Sequence, residues 1–358
     1  MPGNSVFDIR HPMSENIIGH APENNYLLAQ DNHLFNLARS GRLSLPQGWL
    51  KKHPVLFNKV LYPLAAILFG FVAPFLASFL GLPLLLVVFV GPVAQESVAG
   101  QLVFLVGAFL PLFFLIWFWL WLFERRPLWT VGMERPFLRK YLRGLGIGLL
   151  MFVVAVMVLA LLDSVVTETA VTGRLNLLAF GGTLLVFLGW MVQGAAEEVL
   201  ARGFLLPLIG ARWGAIAGIL ISSLFFALLH LLNPNVTAIS LLNLTLFGFF
   251  AALYALFEGG LWGVFAIHAI WNWAQGNLFG FEVSGIQIRS GMIFDLMENG
   301  PDWLTGGLFG PEGGIVVTLV LIISSVLVLF AGRRRKNRFA AEAVTTNLDV
   351  TNSIEGDS

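Results

Sequence analysis

The stretch "VQGAAEEVLARGFLLPL", residues 192–208, decides how the rest of the chain is read. It closes an uncharged run from Leu175 to Ala196, long enough to cross a bilayer, yet it carries Glu197, Glu198 and Arg202. A membrane helix needs about 20 apolar residues. An ionisable side chain at that depth costs roughly 3 kcal/mol or more unless it is paired or hydrated. Charges kept in such a place point to chemistry.

The surroundings agree with a membrane setting. The 358 residues are 57% hydrophobic and 12% charged, with a mean hydropathy of +0.81, against about 25% charged residues in an ordinary soluble domain. This composition predicts a polytopic membrane protein. The formal net charge is zero, so no global basic field speaks for a nucleic-acid partner. The absence of cysteine excludes disulfides, thiolate nucleophiles, thiolate zinc sites and iron-sulfur clusters. The N-terminal residues hold no basic patch followed by an apolar core, so no cleaved signal peptide is expected and the first span serves as insertion signal.

Apolar runs near 60–90, 98–123, 144–162, 175–200, 214–232, 236–257, 261–280 and 314–332 predict an all-α fold, a bundle of about eight transmembrane helices. The first run holds Pro74, Pro83 and Pro92 and is expected as a tilted span followed by a broken piece. Residues 1–54 form a polar arm, 55–332 a transmembrane domain with its core at 175–280, and 333–358 a basic and then polar tail. Charge orients the bundle, because Lys and Arg gather on the cytoplasmic side. Residues 124–143 carry six basic and two acidic side chains and the tail begins "RRRKNR", whereas 281–313 holds Glu282, Asp295, Glu298, Asp302 and Glu312 against Arg289. Eight spans place both termini in the cytoplasm, in a protein of the cell membrane. The patch "YLLAQDNHLFNLARSGRL" predicts an amphipathic helix on the inner surface, residues 339–358 a disordered tail, and Gly210, Gly214 and Gly218 a ladder for close helix packing. His11, His20, His33 and His53 lack ligand spacing.

Few ionisable groups lie in the spans. The fourth run ends with Glu197, Glu198 and Arg202; the fifth holds His230; the seventh holds His268 and Asn272. Glu198 and Arg202 are four apart, the favourable order for an ion pair on one helix face. Glu197 is rotated by about 100° from Glu198 on a regular helix and is left wanting another partner. With turns near Ile209–Trp213 and Glu258–Gly260 at one surface, a rise of about 1.5 Å per residue gives Glu197, His268 and Asn272 similar depths and sets His230 farther away. A carboxylate, two imidazoles and an amide suit hydrolysis. Carboxylate and imidazole deprotonate a water directly or through a metal, while amide and imidazole donate to an oxyanion. Zinc accepts such ligands with one open position; the set would be Glu197, His230 and His268.

"EEVLARG" with Glu197, Glu198 and Arg202, "FALLH" from Phe226 to His230 and "HAIWN" from His268 to Asn272 resemble the EExxxR, FxxxH and HxxxN motifs of the CPBP family of intramembrane proteases. That family includes the type II CAAX prenyl endopeptidases and the bacterial Abi and bacteriocin-processing or immunity proteins. The resemblance implies an endopeptidase, glutamic or metallo, that cuts a membrane-associated and in some members prenylated peptide or protein. Glu197 and His230 would activate the water, His268 and Asn272 would serve as oxyanion donors or further ligands, and Glu198 with Arg202 would hold Glu197. The long outer loop lies outside these motifs and carries no catalytic expectation. Two other classes fit intramembrane Glu and His: a proton-coupled transporter, whose inverted repeat is not found in this chain, and a non-catalytic membrane scaffold or immunity protein.

Overall fold

Backbone amides in hydrocarbon have no water to bond, so apolar segments satisfy themselves as helices. The computed structural model describes residues 27–43, 52–89, 91, 97–167, 177–288 and 291–356; His11, His20, Pro92 and Arg289 lie outside them. After a short α1 (His33–Arg39) come α2 (Pro54–Leu80), α3 (Leu82–Phe89), α4 (Val98–Glu124) and α5 (Leu138–Leu161). Helix α6 is α-helical over Leu177–Glu198, π-helical over Val199–Leu205 and α-helical again over Leu206–Trp213. Then follow α7 (Ala215–Leu229), α8 (Ala238–Glu258), α9 (Trp262–Trp273) with a π turn at Ala274–Leu278, and α10 (Ile315–Gly356).

Each predicted run holds a helix, but among the described residues six helices, not eight, are long and apolar enough to cross a membrane: α2, α4, α5, α6, α8 and α10. Helices α7 and α9 have 15 and 12 residues. Helix α7 stops at His230, whereas α9 carries His268 and Asn272 and continues through its π turn to Leu278. The break expected in the first run falls at Gly81, where a Cβ would stand 1.8 Å from Gly107 O of α4. Pro74 stays inside α2. The turn expected near Ile209–Trp213 is absent: α6 continues through Trp213, and Gly214, at φ +98°, makes the bend that residues with a Cβ rarely allow. A Cβ on Gly218 of α7 would then stand 2.9 Å from Gly210 Cα of α6, the close packing expected of the ladder.

Two terminal expectations change. The N-terminal patch forms only the seven residues of α1, capped by Asn32 Oδ1 accepting from Leu34 N. Its Leu34, Phe35, Leu37 and Ala38 are buried, and Phe35 lies against Gly210, so the apolar face is covered by protein rather than lipid. Residues 339–356, expected to be disordered, continue α10. Extending a helix already formed avoids the nucleation cost.

One end of the bundle gathers the basic segments. His33 pairs with Glu134, Arg143 with Glu258 (2.6 Å), and Arg335 Nη1 donates to Phe257 O (3.1 Å). The acidic loop lies at the other end. There β1 (Val165–Thr167) pairs antiparallel with β2 (Leu296–Glu298), and burial pushes the Glu298 carboxyl up to about 7.

The helix that matters most to the site, α9, is seated on α5 through two glycines. A Cβ on Gly144 would stand 2.3 Å from Gly263 O, and one on Gly148 would stand 2.7 Å from Ile267 O. Gly146, on the opposite face, has nothing within 4 Å. Gly148→Leu is therefore expected to lower stability by about 1–3 kcal/mol through overpacking, while Gly146→Leu is neutral. Thermal unfolding of both variants in detergent checks this, and equal midpoints would contradict the close approach of α5 and α9.

Candidate active site

The polar side chains of α6, α7 and α9 line a cavity of about 600 Å³. Glu198 organises it. Its Oε1 accepts from Arg202 Nη1 at 3.0 Å and lies 2.9 Å from His268 Nδ1. Glu198 and Arg202 are fully buried. The guanidinium of Arg202 lies 4.4 Å from the ring centroid of Phe226, a cation–π contact that replaces water on one face of the charge. Arg202 reaches Glu198 from the π-helical segment, a widened turn of the kind often found at functional sites.

The ion pair expected between Glu198 and Arg202 is thus present, but its partner differs from expectation. It holds His268, not Glu197. A carboxylate beside Nδ1 fixes the imidazole with its proton on that nitrogen and leaves Nε2 as an acceptor. His268 Nε2 lies 3.7 Å from Glu197 Oε2, too far for a direct hydrogen bond. Glu197 Oε2 is buried and makes no hydrogen bond to the described residues. Two acceptors facing each other across this gap suit a molecule that donates to both, and a water does so.

His230 ends α7, with Nδ1 2.8 Å from Phe226 O. A carbonyl only accepts, so Nδ1 carries the proton and Nε2 is again the free acceptor. The Phe226 ring touches both imidazoles, with centroids 4.8 Å from His230 and 5.9 Å from His268. Asn272, one turn beyond His268, donates from Nδ2 to Gln193 Oε1 at 2.9 Å. An amide nitrogen has a second N–H, which remains for a ligand. All six residues singled out from the sequence, Glu197, Glu198, Arg202, His230, His268 and Asn272, therefore belong to one constellation; Glu197, His230, His268 and Asn272 border the cavity, and Glu198 and Arg202 are sealed beneath it.

The proposed zinc set fares differently. Zinc at a hydrolytic centre takes three protein donors about 2 Å from the metal. Among the described residues no three His, Asp or Glu side chains converge closely enough to hold a metal ion. Glu197 and His268 lie 3.7 Å apart, and the Phe226 ring lies against both His230 and His268. The donors as arranged do not fit a three-ligand zinc centre.

Other cavity residues escaped the sequence reading. Gln193 had a signal: it is a polar residue four before Glu197 on an otherwise apolar helix. Phe247 of α8, 5.1 Å from the His268 ring, had none among 32 phenylalanines. The outer loop, which carried no catalytic expectation, supplies Ser284 and Glu312 to the wall.

Residues 179–274 match the family model described as Rce1-like, type II CAAX prenyl endopeptidase Rce1-like. No curated protein and no solved structure matches the chain. The matched segment includes all six constellation residues and stops short of the outer loop.

The pair beneath the cavity is incompletely bonded, since Arg202 Nε and Nη2 and Glu198 Oε2 make no hydrogen bond to the described residues. Arg202→Met alone leaves a buried carboxylate without its cation and is expected to cost roughly 3–5 kcal/mol. Glu198→Leu combined with Arg202→Met should recover most of that loss while leaving His268 without its orienting acid. Unfolding midpoints of the single and double variants test the pair, and a double variant no more stable than the single one refutes it.

Proposed function

We propose that the chain uses the segment that matches the Rce1-like family model, residues 179–274, as an intramembrane endopeptidase that hydrolyses a peptide bond with water activated by Glu197. The observation that carries this reading is the orphaned Glu197 Oε2 facing His268 Nε2 across 3.7 Å. A water donating to both has its lone pair turned toward the cavity. As it attacks the substrate carbonyl carbon, one proton passes to Glu197, and the developing oxyanion takes the free N–H of Asn272. Collapse breaks the C–N bond, and Glu197 returns the proton to the departing amine. Glu198 with Arg202 keeps His268 in the orientation that fixes the water. His230 contributes a second acceptor, or, once protonated, a second donor to the oxyanion.

The setting supports a membrane-associated substrate. The cavity is lined mostly by apolar side chains, among them Phe75, Phe104, Leu244 and Trp271, and Phe75 also lies on the outer surface of the bundle. The partition of basic and acidic segments between the two ends favours an orientation with both termini on the cytoplasmic side of the cell membrane. A prenylated substrate fits the walls, and so does any apolar peptide.

Purified protein in detergent, offered fluorogenic peptides with and without a prenyl group, tests the reading. Glu197→Gln and His268→Ala are each expected to lower kcat by at least a hundredfold; the unfolding midpoint stays close to that of the parent in Glu197→Gln and falls in His268→Ala, which takes from the buried Glu198 one of its two partners. Chelation is expected to leave cleavage unchanged. Full activity in Glu197→Gln refutes the water-activating role, and loss on chelation restored by zinc replaces the glutamate mechanism with a metal one.

A further inference from the structure

Glu312 is a third carboxylate on the cavity wall, contributed by the outer loop rather than by the Rce1-like segment. Its position is over-determined. Oε1 accepts from both Ser284 N (2.5 Å) and Ser284 Oγ (2.7 Å). Its main-chain carbonyl accepts from Asn243 Nδ2 of α8 at 2.8 Å, an amide that also donates to Gly314 O. Ser284 and Gly285 form the two-residue turn between Val283 and Ile286, both left-handed at φ 51° and 78°. Such turns ordinarily prefer Asn-Gly. A serine held in that conformation aims its N–H and hydroxyl together at one carboxylate, and strain of this kind collects where geometry serves a function. Gly285 and Gly310 close the packing, since a Cβ on either would stand 2.1 Å from a carbonyl oxygen.

The charges bordering the cavity are unbalanced. Glu198 is neutralised beneath the floor by Arg202, while Glu197 and Glu312 face the space, and no Lys or Arg is among the described residues lining it. Oε2 of Glu312 has no hydrogen bond or ion pair with the described residues, and burial pushes the carboxyl above its usual range, with the Ser284 hydrogen bonds and the neighbouring imidazoles of His230 and His268 acting in the opposite sense. An entering cation would relieve that cost. A carboxylate terminus at the same place would add to it.

We propose that Glu312, fixed by Ser284, is a specificity residue that binds a lysine or arginine side chain of the substrate near the scissile bond, so that the site selects apolar peptides carrying one basic residue. This rests on the assignment of the cavity as the peptide-binding site, and it adds a charge preference that the Rce1-like segment alone does not contain.

The test is a binding measurement that needs no turnover. In the Glu197→Gln protein, fluorescence anisotropy gives Kd for dye-labelled, end-blocked leucine-alanine hexapeptides with one lysine, or its neutral isostere norleucine, walked through the four central positions. At one position the lysine peptide is expected to bind about tenfold tighter. Glu312→Gln should abolish the preference without weakening the norleucine peptide, and Ser284→Ala, which removes one of two donors, should reduce it. Equal affinities for the two peptides, or a preference unchanged by Glu312→Gln, overturn the proposal. Failure of the parent protein to cleave a lysine peptide that it binds selectively would count against the endopeptidase reading and leave the charge specificity standing.

Discussion

A single carboxylate oxygen, Glu198 Oε1, is shared between Arg202 and His268, and the arrangement of the bundle follows from the need to bury that triad. A lone charge in an apolar bundle is costly, so each member constrains the others. Arg202 ties the acid to its own helix, His268 ties it to α9, and Phe226 of α7 covers the guanidinium. Three helices are thereby fixed around one anion. The close seat of α9 on α5 through Gly144 and Gly148 then holds the imidazole at the depth where Glu197 meets it.

The aromatic residues around this triad keep its dielectric low without filling the cavity. Phe226 and Phe247 both contact His268, and Trp271 packs on Phe247 at 6.1 Å. Rings present an apolar edge and a mildly negative face, so they exclude water from the Arg202 side and leave the Glu197 side open. The result is an asymmetric pair of neighbours: one glutamate permanently engaged, the next one available.

Much of this was legible in the sequence because ionisable residues in apolar spans are few, and their expense marks them. The helices, the ion pair and the membership of His230, His268 and Asn272 in one cluster could be read that way. The partner of the ion pair could not, because whether Glu198 reaches Glu197 or His268 depends on how α6 and α9 cross, and spacing within one helix carries no such distance. The π segment has no compositional mark. Helix α1 looked membrane-facing because its partner, Gly210, is far away in the chain. Glu312 looked like one of five loop acids; its inward placement comes from left-handed residues such as Ser284 and Gly310, whose dihedrals the sequence only permits.

The π segment at Val199–Leu205 also bears on how the chain tolerates changes of length. A π turn is an α-helix that has absorbed a surplus residue, and α6 carries it between two stretches with different obligations. Before it, Gln193 and Glu197 face the cavity; after it, Gly210 must meet Phe35 of α1 and Gly218 of α7. Removing one residue from the segment would restore regular winding and turn everything beyond it by about 100° relative to the acids. The two halves of α6 are therefore held in phase by a spare residue, and a deletion too small to shorten the span would still part the cavity face from the packing face.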